Sequence, residues 1–220
     1  MPLCLILAGP PGAGKGTQAG RIAEKFKMPI VSTGALIRAC INEESDEERR
    51  QLIKILGENY KEKILEIVGK DLADKIKELH DKGELLPDEM ILNLVKKILS
   101  GIDISRGVIL DGVPRTIEQA KGIEKIINEI GKLRMLVIEL VVPKKECKRR
   151  ILVIRRQEHP ERADQEENIF EKRWREYETK TKPMIEYLRE RGYVVSVGGH
   201  ASKDEVTNRI FQIIEKEFSK

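Results

Sequence analysis

The chain has 220 residues, 40% of them hydrophobic, 4% aromatic and 35% charged, with 41 basic against 37 acidic side chains for a formal net charge of +4. That is enough for one substantial domain with an aliphatic core and smaller inserted lobes. The interspersed charge signs do not call for a nucleic-acid partner, the apolar runs are too short to span a bilayer, and Cys4, Cys40 and Cys147 suit neither a disulfide framework nor a structural zinc.

A buried strand is expected at Leu3–Ala8, so close to Met1 that no signal peptide is read and the cytoplasm is the expected compartment. A glycine-rich turn, Gly9 to Thr17, leads into a helix from Gln18 to Phe26, and a second strand follows at Pro29–Ser32. From Gly34 to Asp88 the apolar residues recur at helical spacing, among them Leu52, Leu56, Ile64, Val68 and Ile76. Strands resume at Gly107–Leu110 and Leu133–Val142, and Pro143 is placed to open a helix toward Arg156. A short polar stretch, Arg155 to Arg162, holds Pro160. Asp164 with Glu167 reads as a capping box for a long helix through Tyr187. After a last strand, Tyr193–Val197, Ser202 and Glu205 form a second box ahead of a helix ending near Phe218. Strands alternating with helices predict an α/β fold, a doubly wound five-stranded parallel sheet, with ligands at the carboxyl ends of its strands.

The strand–turn–helix at Gly9-Pro10-Pro11-Gly12-Ala13-Gly14-Lys15-Gly16-Thr17 carries the most chemistry. Backbone N–H groups of Gly12, Ala13, Gly14, Lys15, Gly16 and Thr17 can approach a phosphate chain at the positive end of the helix. Lys15 then reaches the outer phosphates, and the Thr17 hydroxyl suits Mg²⁺, so a nucleoside triphosphate is the expected ligand. A second motif runs Val108-Ile109-Leu110-Asp111-Gly112-Val113-Pro114-Arg115-Thr116-Ile117-Glu118-Gln119. It ends a buried strand in Asp111, whose carboxylate can hold the water shell of Mg²⁺ near the phosphate loop. Arg115 offers a bidentate phosphate contact, and Gln119 a donor and an acceptor matching the paired edge of adenine. Ser32-Thr33-Gly34-Ala35-Leu36-Ile37-Arg38 would alone be an ordinary helix start, and Gly83-Glu84-Leu85-Leu86-Pro87-Asp88 an interhelical loop. His80, His159 and His200 form no catalytic constellation with the cysteines or serines.

Placing Gly16 between Lys15 and Thr17 gives a Gly-Lys-Gly-Thr loop similar to that of the nucleoside monophosphate kinases, and the whole chain resembles the adenylate kinases among them. The resemblance implies Mg²⁺-dependent phosphoryl transfer from ATP to AMP giving two ADP. A relative using GTP, CMP or UMP, or a P-loop ATPase, stands as the alternative. It implies AMP contacts from Thr33, Arg38, Glu84, Leu85, Leu86, Gly112, Val113, Pro114, Arg115 and Gln119. It places Arg150 on the ATP base, Arg155 in the lid beside ATP, and Lys15, Arg115, Arg162 and Arg173 around the transferred phosphoryl, the last two also meeting AMP. Thr33 and Gln119 stand where UMP and CMP kinases tend to carry alanine and asparagine. Ala35 replaces the family's usual aspartate, Val113 its phenylalanine and Gln165 a common second lid aspartate, and the Gly-Arg lid turn is missing. Gly198-Gly199-His200-Ala201 resembles the loop facing the ATP adenine.

The implied division is a core of residues 1–33, 89–150 and 164–220, an enlarged helical lobe 34–88 and a short lid 151–163. The surplus chain, about Asn42 to Val68, would pack inside the lobe or form a subunit contact. A monomer is the default, with small-molecule nucleotides as the partners and no membrane.

Overall fold

The computed structural model describes residues 1–81, 86–155 and 167–219, side chains excepted at 80, 81, 154 and 155. Five parallel strands form one sheet: β1 (Leu3–Ala8), β2 (Ile30–Ser32), β3 (Val108–Asp111), β4 (Arg134–Val141) and β5 (Val194–Gly198), in the order β2-β3-β1-β4-β5. They match the five expected strands to within a residue or so at each end. The chain leaves β1 toward one edge and later β3 toward the other, so the winding reverses beside β1, where such sheets open a ligand crevice. Register completes the crevice wall, because Ser32 pairs with Asp111 and brings two polar strand ends side by side.

The two-residue period of β1 feeds two cores. Cys4, Ile6 and Ala8 face one layer, while Leu3, Leu5 and Leu7 face the other. On the second side lie α1 (Lys15–Phe26), α8 (Lys144–Arg149), α9 (Glu167–Glu176) and α11 (Lys203–Phe218), through Ala19, Ile22, Cys147, Phe170, Trp174 and Ile210. Each large aliphatic side chain so buried contributes about 1.5–3 kcal/mol relative to exposure. The first layer continues through α2 (Thr33–Cys40), α3 (Asp46–Leu56), α4 (Tyr60–Val68), α6 (Asp88–Gly101), α7 (Ile117–Ile130) and α10 (Lys182–Glu190). Between α4 and α6 runs α5 (Lys70–Asp81), with Ile76 buried in the same layer.

Leu52, Leu56, Tyr60, Ile64 and Val68, in the surplus segment, turn inward to the cluster that holds Leu36, Leu94 and Ile98. Their stripe is thus covered by the chain's own helices, and of the large apolar residues there only Leu65 is strongly exposed. A buried carboxylate pins this packing: Glu44 accepts from the Tyr60 hydroxyl at 2.6 Å and pairs with the Lys61 ammonium at 2.9 Å.

Local winding differs from the sequence reading at two places. The helix opened at Pro143 is α-helical only to Arg149 and continues as a π-helix over Arg150–Arg155. The long helix through Tyr187 changes to a π-helix at Tyr177–Thr181 between α9 and α10. Hydrophobic spacing identifies a helix and its buried face, but it does not show where i→i+5 bonding replaces i→i+4 over a turn or so. The box at Ser202 and Glu205 caps α11 as expected, whereas Asp164 of the other box lies outside the described residues.

Candidate active site

The loop after β1 wraps the N-terminus of α1, where Gly14 is the cap in a left-handed conformation at φ 95°. Gly12, at φ 84°, lies so close to α8 that a Cβ there would stand 2.7 Å from the Cys147 carbonyl oxygen. Only glycine admits that approach of loop to helix. Lys15 donates to the carbonyls of Gly9 at 2.8 Å and Pro10 at 2.9 Å, so its ammonium is folded back over its own loop. Burial pushes its pKa down to about 8; Asp111 opposes the shift, and Arg173 and Arg115 add to it. Thr17 stands exposed in the first turn of α1.

Across the crevice, the Ser32 hydroxyl donates to Asp111 Oδ2 at 3.3 Å and also caps α2. Buried Thr33 donates to the Asp111 carbonyl at 3.4 Å. Gly112 turns the chain at φ 83°, where a Cβ would meet Thr33 Oγ1 at 2.8 Å and Arg115 Nη2 at 3.4 Å. Val113 and Pro114 are buried beneath, joined by a cis peptide bond. Desolvation in the cleft lowers the pKa of Arg115; Arg173 adds to this, Asp111 and Glu176 oppose it, and Arg38 adds a smaller lowering influence. Lys15, Asp111, Arg115 and Arg173 therefore share one electrostatic neighbourhood.

Two expected substrate readers already hold protein partners. Arg38 donates from Nε to both carboxylate oxygens of Glu48, at 3.1 and 3.0 Å, and also from Nη2. These hydrogen bonds raise the pKa of Arg38 against the effect of burial. Burial acts to raise the Glu48 carboxyl, but bonds from Arg38 and the Ser45 backbone outweigh it and hold it below its usual value. Gln119, in the first turn of α7, accepts from the Arg115 N–H at 2.7 Å and donates to Asp88 Oδ1 at 2.7 Å.

On the other side of β1, Arg150 donates to Glu146 at 2.7 Å and to the Gly199 carbonyl at 2.8 Å. This ties α8 to the Gly198–Ala201 loop and brings the two expected ATP-base elements together. Leu86 is half-buried against the first core. Glu84, Leu85, Arg162, the side chain of Arg155 and His159 lie outside the described residues. Among the described residues no group of three or more His, Cys, Asp or Glu side chains converges.

Sequence reasoning passed over Glu48 and Glu146, and it quoted Ser32 and Asp88 within motifs without giving either a role. Glu48 could have been found, because Ser45-Asp46-Glu47-Glu48 is a capping box, and the box forms at α3. Asp88 carried only the ordinary signal of an acid in a helix's first turn.

The adenylate kinase family model matches residues 57–193, and an AAA-domain model matches residues 8–86. Similar proteins include the adenylate kinases of Chelativorans sp. (38% identical over 96% of this chain and 98% of the relative), Archaeoglobus fulgidus (33%, with the same shares) and Methanosarcina barkeri (33%, likewise 96% and 98%). With a phosphate loop, a strand-end aspartate and converging arginines around the sheet's switch point, and relatives matched along nearly its full length, the chain belongs to the adenylate kinase family.

Proposed function

We propose that this chain transfers the γ-phosphoryl group of ATP to AMP, reversibly and with Mg²⁺, giving two ADP. The carrying observation is the shared neighbourhood of Lys15, Asp111, Arg115 and Arg173, set beside Thr33 and Arg38 of α2 and Gln119 of α7, the helices that follow the adjacent strands β2 and β3. A hydrolase needs only the first group; two nucleotides meeting phosphate to phosphate need both.

The nucleophile is a phosphate oxygen of AMP, already ionised near neutral pH because its second pKa is about 6. No general base is required. Lys15, Arg115 and Arg173 stabilise the charge spread over the transferring group, and Arg162 belongs to the same proposal. A single well-placed arginine can supply roughly 10³–10⁵ in rate. Arg38 anchors the AMP phosphate, and Thr33 with Gln119 holds its base. Arg150, with Arg155, lies along ATP.

Mg²⁺ takes oxygen ligands and retains several waters. The exposed Thr17 hydroxyl and the Asp111 carboxylate are donors of that kind, so the residues present fit the ion. When bound, it would neutralise charge on the donor phosphates.

Residues 34–88 act as the acceptor lobe and 151–163 as the lid whose closure excludes water. No helix among the described residues is long and apolar enough to cross a membrane. A cytoplasmic monomer is the proposed state, supported by cysteines left as thiols and by the inward-turned stripe of α3 and α4.

Product analysis tests the function: Mg·ATP is supplied with AMP, CMP, UMP, GMP or no acceptor, then GTP replaces ATP. Rapid ADP formation with AMP alone is expected. Phosphate release indifferent to acceptor refutes transfer.

A further inference from the structure

We infer that Asp88 is a positioning residue that fixes which way round the Gln119 carboxamide faces the acceptor base, and thereby selects 6-amino over 6-oxo purines. The inference rests on the proposal that Gln119 reads that base.

Gln119 is buried, and both ends of its amide are engaged. Oε1 accepts from the Arg115 backbone N–H, and Nε2 donates to Asp88 Oδ1, each at 2.7 Å. Asp88 is held in turn, since its Oδ2 accepts from the Thr116 hydroxyl at 2.7 Å. Thr116 caps α7 by accepting from the Gln119 N–H at 3.1 Å. The first turns of α6 and α7 are thus joined in one ring of hydrogen bonds.

The chemistry of the two partners admits a single amide orientation. A backbone N–H only donates and a carboxylate only accepts. Turning the amide over would set its oxygen against the carboxylate and its N–H against another N–H. Each end still has one valence left: the second hydrogen on Nε2 and the second lone pair on Oε1. A donor and an acceptor are therefore offered in a fixed order.

That order is what distinguishes the bases. Adenine presents an acceptor at N1 and a donor at its 6-amino group. Hypoxanthine and guanine present a donor at N1 and an acceptor at O6, the same places with the roles exchanged. A freely rotating glutamine serves either pattern; one locked from behind serves only one. A site whose buried polar groups are left unmatched discriminates strongly against the wrong partner.

The test compares kcat/KM for AMP and for IMP, which differ at these positions alone, with Mg·ATP as donor. Wild type is set against Asp88→Ala, Asp88→Ser, Asp88→Asn and Gln119→Leu, with the KM for Mg·ATP measured in parallel to separate a local effect from loss of fold. Removing Asp88 leaves only the Arg115 N–H to hold the amide, so the AMP:IMP ratio is expected to fall about tenfold in the alanine or serine variant. Asparagine can still accept from Nε2 and donate to Thr116, so it restores most of the ratio. An unchanged ratio in Asp88→Ala and Asp88→Ser, with a collapsed ratio in Gln119→Leu, overturns the role of Asp88 and leaves base reading intact. An unchanged ratio in Gln119→Leu overturns base reading, and this inference with it.

Discussion

Replacing Gly112 by alanine should strike both the backbone and the acceptor side of the site. At φ 83° the residue lies in the left-handed region, where a Cβ costs about 1–2 kcal/mol. The new methyl also stands 2.8 Å from Thr33 Oγ1, under any real contact distance, and 3.4 Å from Arg115 Nη2. Arg115 can swing aside, but Thr33 is buried and bonded to the Asp111 carbonyl, so overpacking adds about 1–3 kcal/mol. The combined loss is about 2–5 kcal/mol. An unfolding entropy of about 2.1 cal/mol/K per residue over 220 residues turns this into a Tm lower by about 4–11 °C. Gly20→Ala is the control, because Gly20 lies on the exposed face of α1 with nothing within 4 Å of a Cβ. There alanine should stabilise by about 0.5–1 kcal/mol and raise Tm by about 1–2 °C. Calorimetry on the ligand-free proteins reads both, and the KM for AMP should rise in the Gly112 variant as Thr33 and Arg115 shift. A Gly112→Ala protein melting within about 1 °C of wild type would refute the reasoning from strain and contact.

Lys15→Met should cut turnover at least about a hundredfold, as should Arg115→Ala, in proteins with native circular dichroism; near-wild-type turnover removes either from the catalytic set. The same Lys15→Met protein reports on the buried ammonium. Below about pH 8 Lys15 is charged in folded and unfolded chains alike, and the folded state bears the full cost of burial. Between there and its ordinary value near 10.4 the unfolded chain binds more protons, so wild type should gain on the variant with rising pH, by about 3 kcal/mol at most. A difference in denaturant stability that stays flat from pH 8 to 10.5 contradicts the lowered pKa. Glu48→Gln should cost about 1 kcal/mol at pH 7, from the weakened pair with Arg38 and the weakened α3 cap. Because the Glu48 pKa is depressed, its contribution is complete above the usual carboxylate range and is lost as pH falls through the lower folded value. Urea melts at pH 7 and pH 3 should show the gap between variant and wild type narrow toward acid, and a constant gap counts against the ion pair.

Much of the architecture was legible because it rests on local patterns. Leu3–Ala8 is one apolar run, and such a run buries both faces of a central parallel strand. Ser202–Glu205 marks a helix start through cap chemistry, which acts within a few residues. The first helix, expected from Gln18, instead begins three residues earlier at Lys15, behind a Gly14 cap that has no side chain to signal it. The π-helical turns at Arg150 and Tyr177 were not legible, since their cost and reward lie in packing between distant elements. Arg150 shows why: it meets Glu146 four residues away and Gly199 across the sheet. The candidate site residues were chosen by chemical type, and their hydrogen-bond partners were not legible. Nothing in the spacing of Asp88 and Gln119 announces that a carboxylate will sit behind an amide 31 positions later.

The partners divide into two kinds, and the division bears on how the site binds. Lys15 gives two of its three donors to the Gly9 and Pro10 carbonyls, and Arg38 gives Nε and one N–H of Nη2, out of five, to Glu48. A phosphate arriving at either cation shares it with an acceptor already present, so part of its gain is an exchange of one acceptor for another. Such exchanges yield about 0.5–1.5 kcal/mol per hydrogen bond, more where charge is involved. Gln119 differs in being neutral and fixed at both ends: Asp88 and the Arg115 N–H use one valence at each end of its amide and leave the other. A base adds its bonds without displacing any. Phosphate contacts should therefore set position at modest net affinity, while the base contact, made with groups fixed in advance, is where the wrong acceptor is refused.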